Sequence, residues 1–182
     1  MSRIRITGGE WRSRLIHVPD APGLRPTPDR VRETLFNWLG QDLTGLTCLD
    51  AFGGSGILGF EAASRGARRV VILERERKPF NALREHAALF QCERIETICC
   101  DAIKFAPLVS AERFDVVFLD PPFRQGWLER VAPRLPDWVN PDARLYVEAE
   151  APLEKLNPGW AGWQVIRQGH AGQVYYHLLE QT

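Results

Sequence analysis

The stretch FDVVFLDPPF, residues 114–123, ends an apolar run in a carboxylate, two prolines and an aromatic ring. That combination suits the presentation of an exocyclic amine to an electrophilic carbon. The lone pair of a nucleobase amino group is delocalised into its ring. Acceptors aimed at both amino hydrogens draw the nitrogen toward sp³ and free that lone pair. Asp120 can supply one acceptor and the carbonyl of Pro121 the other, while Pro121 and Pro122 stiffen the turn and add no competing N–H. Phe123 offers a face on which a base stacks, worth roughly 1–3 kcal/mol. An ordinary turn, with Asp120 capping and Phe123 packed inward, uses the same residues, so the motif needs a partner elsewhere in the chain.

That partner is DAFGGSGILGFE, residues 50–61, in which Gly54, Gly56 and Gly59 have the dinucleotide spacing G-x-G-x-x-G. Glu74 closes the next apolar run, where a ribose-binding acid is expected. The loop alone fits a nicotinamide dinucleotide and S-adenosylmethionine equally. Asp50 beside it disfavours a pyrophosphate and favours a sulfonium with its amino group. Asp101 ends the third apolar run and can accept from an adenine amino group, although an acid there also suits a helix cap.

These residues need strands to carry them. Apolar runs at 46–52, 68–74, 95–100, 114–120 and 143–150 alternate with helical patterns at 55–66, 77–91, 102–108 and 127–135. The alternation predicts a mostly parallel α/β sheet covered on both faces. The last two runs, 163–169 and 173–180, are too close for a crossover helix and predict an antiparallel hairpin. Such a closure also differs from the ordinary dinucleotide-binding sheet. Upstream, RPTPDRVRETLFNWLG (25–40) predicts a helix capped by Thr27, with Pro28 in its first turn and Gly40 closing it. Residues 3–19 predict a small hairpin around Gly8-Gly9, with Arg3 and Arg5 on one face and Ile4 and Ile6 on the other. The expected division is an extension over 1–24 and a main domain over 25–182, joined through a linker at 19–26.

Composition narrows the classes. A chain of 182 residues, 45% apolar and 25% charged, fits one globular domain with a sizeable core. No apolar run reaches membrane-spanning length, and the start lacks a signal-peptide core, so a cytoplasmic protein is expected. Cys48, Cys92, Cys99 and Cys100 have neither zinc nor disulfide spacing and read as reduced thiols, with no metal expected. The zero net charge hides an asymmetry. Residues 1–32 hold seven arginines against three acids, a local +4 that suits phosphate contact.

RPTPDRVRETLFNWL, LDAFGGSGILGFEAASRGA and DPPF together resemble the RsmD family of bacterial ribosomal RNA methyltransferases, over nearly the whole chain. The resemblance implies a Rossmann-like class I methyltransferase sheet of seven strands with a reversed last strand, and an N-terminal hairpin that helps hold RNA. It implies S-adenosylmethionine as cofactor, S-adenosylhomocysteine as product, and the N2 amine of one guanine in 16S rRNA as target, on the small ribosomal subunit; nothing in the sequence calls for more than a monomer. Carried onto this chain, Asp50, Ala51, Phe52, Gly53, Gly54 and Gly56 would line the methionine end. Glu74 and Arg75 would meet the ribose, and Asp101 and Ala102 the adenine. Asp120, Pro121, Pro122 and Phe123 would hold the guanine, and Arg3, Arg5, Arg12, Arg14, Arg25 and Arg30, with Arg32 nearby, the phosphates. Gly53 stands where the family has Ala, a change expected to loosen the loop slightly. A DNA amino-methyltransferase and a non-catalytic nucleotide-binding module remain alternatives at this point. The former ordinarily needs a target-recognition region for which this chain has no room.

Overall fold

The computed structural model describes residues 2–20, 22, 24–107, 113–156 and 159–182. Four short strands arise from runs too apolar to face water: β3 (Thr47–Asp50), β4 (Arg69–Leu73), β5 (Ile95–Ile98) and β6 (Phe114–Leu119). They are joined by β7 (Val139–Ala149), β8 (Trp163–Ala171) and β9 (Val174–Gln181) in one sheet of order β5-β4-β3-β6-β7-β9-β8. β3, β4, β5, β6 and β7 are parallel, and β9 runs antiparallel to both of its neighbours. This is the expected α/β sheet with its reversed strand. The order turns in both directions from β3, so β3 and β6 open a crevice at their carboxyl ends.

The helices cover both faces. α1 (Asp29–Leu39), α2 (Ile57–Ser64) and α3 (Arg77–Leu89) are regular. The expected helix at 127–135 is broken by its prolines into α4 (Trp127–Val131), a 3₁₀ turn over 132–134 holding Pro133, and α5 (Leu135–Trp138). The expected helix at 102–108 is only a 3₁₀ turn over 102–104, and its last position lies outside the described residues, as do positions 21 and 23 of the expected linker. β7 begins four residues earlier than expected, because a register shift pairs Phe114 with Val139 and then Val116 with Arg144.

The N-terminal hairpin, β1 (Ser2–Arg5) and β2 (Leu15–Val18), forms its own two-stranded sheet. Arg3 and Arg5 are exposed while Ile4, Ile6, Ile16 and Val18 are buried, as the alternation requires. Trp11 in its loop stacks on Phe90 at 4.6 Å, and the buried hairpin side chains join the core formed by α1, α2 and α3.

A charged knot fixes this arrangement. Glu61 on α2 is fully buried and accepts from Thr7 N and Thr7 Oγ1, both at 2.8 Å, and from Arg32 Nε at 3.2 Å. Its other oxygen pairs with Arg65 Nη1. Arg32, also fully buried, donates to Arg5 O and Thr27 O at 2.6 Å and to Asp29 at 2.7 Å. Arg32 is therefore a structural cation and cannot serve as a phosphate contact. Removing one partner of a buried pair strands the other charge. Glu61→Gln should lower unfolding free energy in urea by roughly 3–5 kcal/mol; an unchanged midpoint would contradict the knot's role.

Candidate active site

The strand-end acids converge on one cleft of about 1300 Å³, large enough for a nucleoside-sized ligand and a second planar group. Asp50 ends β3 and is 1% exposed. Its Oδ2 accepts from Gly59 N at 3.2 Å, but its Oδ1 is buried with no hydrogen-bond partner. Burial, with added repulsion from Glu74 and Glu148, pushes this carboxyl up to about 7 despite the Gly59 hydrogen bond and the nearby Phe52 N–H. A buried acceptor left unsatisfied costs about 1–3 kcal/mol, so this oxygen marks where a cationic group would sit.

The glycine loop bends tightly between β3 and α2. Gly53 N donates to Leu73 O at 2.7 Å, and Gly56 N to Gly53 O at 2.5 Å. Gly56 has φ 76°, a left-handed conformation natural to glycine. Gly53 is closely packed. A Cβ there would lie 2.6 Å from Ile72 Cγ2 and 2.9 Å from Leu73 O, so glycine is what lets the loop sit against β4. Ala51, Phe52, Gly53 and Gly54 line the cleft, whereas Gly56 lies behind them and shapes the turn.

Glu74 is partly buried and holds the loop from the other side, accepting from Gly54 N at 2.8 Å and Glu76 N at 2.7 Å. Arg75 beside it lies 5.1 Å above the Trp127 ring, which also meets Phe52 edge-on at 5.5 Å. Asp101 does cap the 3₁₀ turn, accepting from Ile103 N at 2.9 Å, and both it and Ala102 line the cleft.

Asp120, Pro121, Pro122 and Phe123 form the adjoining wall. Thr27 is not the cap of α1, where Pro28 takes that position without a side-chain bond. Its hydroxyl instead donates to Glu148 Oε1 at 2.8 Å and lies 3.4 Å from Asp120 Oδ2. Glu148, inside β7, also accepts from Tyr146 OH at 2.8 Å. Burial first, then Glu148 and Asp50, hold the Asp120 carboxyl well above the carboxylate range.

Thr27, Tyr146, Glu148 and Trp127 escaped sequence reasoning. The available signal was Glu148 itself, an acid inside a strand covered on both faces, which must find partners. Of the arginines, Arg25 reaches the cleft rim. Arg3, Arg5, Arg12, Arg14 and Arg30 are exposed outside the cleft, with Arg14 lying 4.1 Å over Phe90. Among the described residues no group of acids, histidines and cysteines could hold a metal ion, and no helix is long and apolar enough to cross a membrane.

Asp50, Asp120 and Glu148 bind protons more tightly folded than unfolded. Their contribution is therefore lost as pH rises, for Asp50 from about 4 to about 7, while His177, held below its ordinary value by burial, acts oppositely. Urea melts of Asp50→Asn should lose less stability than the parent over that interval; parallel curves would contradict the shift. Gly53→Ala should cost about 1–3 kcal/mol, and a neutral result would show that Ile72 yields freely.

The model of the family described as Conserved hypothetical protein 95 matches residues 4–180. Ribosomal RNA small subunit methyltransferase D of Escherichia coli (strain K12) is 42% identical over 181 residues, covering 98% of this chain and 90% of that protein. Its namesake in Haemophilus influenzae is 40% identical, covering 97% and 93%. Among solved structures, a candidate methyltransferase from Escherichia coli superposes with a TM-score of 0.86 at 39% identity, over 99% of this chain and 98% of that one. A candidate methylase from Haemophilus influenzae gives 0.82 at 36%, over 99% of each. The sheet with its reversed strand is thus the Rossmann-like class I methyltransferase fold. The chain belongs to the family described as Conserved hypothetical protein 95, the RsmD family whose motifs its sequence carries.

Proposed function

We propose that this chain methylates small-subunit ribosomal RNA, transferring the methyl group of S-adenosylmethionine to the N2 amine of one guanine in 16S rRNA on the assembled subunit. The observation that carries the reading is the orphaned Oδ1 of Asp50, buried in an acidic cleft that continues to Asp120 and Phe123. Such a site suits a cation better than a pyrophosphate, which supports S-adenosylmethionine over the dinucleotide alternative. Names of the relatives support small-subunit rRNA as the substrate class. The choice of guanine, its N2 atom and the assembled subunit follows the family resemblance.

The residues fit the cofactor. Asp50 would take its amino group, Glu74 the ribose hydroxyls through lone pairs that Gly54 and Glu76 leave free, and Asp101 the adenine amine. Phe52 and Trp127 supply apolar walls. When bound, the cofactor supplies an electrophilic methyl group; the protein's contribution is position. Asp120 and the carbonyl of Pro121 would accept from the target amine, and Phe123 would stack on its base. Arg25 at the rim, with exposed Arg3, Arg5, Arg12, Arg14 and Arg30, would contact phosphates, which orient the RNA without reading sequence.

Asp120→Ala should abolish transfer of a radiolabelled methyl group to small subunits from a strain lacking this protein, while calorimetry still shows cofactor binding. Retained turnover would contradict the assignment. Arg3→Ala with Arg5→Ala should weaken RNA affinity and reduce the slope of log affinity against log salt by about 1–2; an unchanged slope would remove both from the RNA footprint.

A further inference from the structure

We propose that Glu148 is a positioning residue for Asp120, anchoring that carboxyl through the Thr27 hydroxyl and one shared proton so that an oxygen stays turned to the substrate amine. The inference rests on reading the cleft as an amine-methylating site and assigns a role to a cleft-lining residue outside the strand tip that presents the amine.

Three observations meet here. Glu148 is only 3% exposed, yet it lies on β7 directly beside the strand that ends in Asp120. Its Oε1 takes two short hydrogen bonds, from Thr27 Oγ1 and Tyr146 OH, each 2.8 Å. The same Thr27 hydroxyl lies 3.4 Å from Asp120 Oδ2, so one side chain joins both carboxyls. A threonine hydroxyl has a single proton, which it gives to Glu148, leaving its lone pairs for Asp120.

With Glu148 buried and Asp120 partly buried, two ionised carboxyls this close repel each other strongly, and the stable state holds one proton between them. The surrounding groups reinforce that state. Asp50 faces the pair from β3, with Glu74 behind it. Tyr146 on β7, pushed up by burial, is an uncharged hydroxyl. Arg32 on α1 is the nearby cation, but its donors are committed to Thr27 O, Arg5 O, Asp29 and Glu61. Burial pushes both carboxyls up; hydrogen bonds from Thr27 and Tyr146 work against it at Glu148, whereas repulsion from Glu148 and Asp50 adds to it at Asp120. The shared proton therefore sits on Asp120. Donated to Thr27 Oγ1, it fixes the carboxyl rotamer through the hydroxyl that Glu148 holds and leaves the other oxygen as acceptor. Raising the pH removes this proton, sets two negative charges against each other and releases Asp120.

The test combines carbon-detected NMR titration of the Asp120 carboxyl with pH profiles of methyl transfer. In Glu148→Ala, kcat should fall about 10–100-fold, with KM for RNA unchanged within about twofold. Glu148→Gln, which restores a hydrogen-bonding partner without charge, should recover most of that loss. It should also lower the Asp120 titration to a single step and abolish the alkaline decline of kcat seen in the parent. Thr27→Val should lose rate as Glu148→Ala does and Thr27→Ser should keep it, which preserves the test if a Glu148 variant does not fold. Superimposable Asp120 titrations in the parent and Glu148→Gln, or full kcat in Glu148→Ala, would overturn the proposal. A parent enzyme that methylates no RNA would overturn the functional reading instead, and the titration would still decide the carboxyl pair.

Discussion

The constraint on which this molecule turns is a set of carboxyls kept together in a cleft without a matching cation. Asp50, Asp120 and Glu148 gather at the carboxyl ends of β3, β6 and β7, and no ion pair reaches them among the described residues. Burying a carboxylate costs several kcal/mol unless it is paired or protonated. A fold optimised only for stability would have replaced these acids with apolar side chains of similar size. Their presence is intelligible when a cationic ligand completes the site, because the cost borne by the empty protein is then returned as binding.

The rest of the structure holds those carboxyls in register. Parallel pairing of β3 with β4 and β6 brings Asp50, Glu74 and Asp120 to one end of the sheet. The reversed β9 pairs along the far edge of β7, and Glu148 lies on the same face of β7 as Tyr146, joined to Asp120 through Thr27. Arg32 links this centre to the N-terminal hairpin. One guanidinium grips the carbonyl of Arg5 on the hairpin and the carbonyl of Thr27, whose hydroxyl meets both Glu148 and Asp120. The arginine-bearing hairpin and the strand tip that would receive the base are therefore parts of one packed unit, tied through Glu61 and sharing a core.

Much of this was legible in the chain. The apolar runs gave the strands, their short spacing at the end gave the hairpin, and acids at strand ends marked the cleft, because periodicity and strand polarity are local properties. What escaped depends on contacts distant in sequence. Thr27 looks like a helix cap by its neighbours, yet its hydroxyl serves a residue 121 positions away. Arg32 reads locally as a partner for Asp29, which it is, but nothing nearby in the chain points to Glu61, 29 positions on. Gly53 looks like slack in a loop until Ile72 closes the space a methyl group would need. Pro133 and Pro136 fragment a helix whose apolar spacing is otherwise sound, and a register shift at Phe114 lengthens β7.

The most direct measurement of the central claim is proton release when S-adenosylmethionine binds, by calorimetry in buffers of different ionisation heat. Just below neutral pH the amino group of such a ligand is already charged. Asp50, with its carboxyl pushed up to about 7, is largely protonated there. A cation placed against Oδ1 should expel roughly half to one proton per site, and Asp50→Asn should release correspondingly fewer. Binding with no net proton release, or with the same release in Asp50→Asn, would contradict the account of a cleft built around carboxyls without a matching cation.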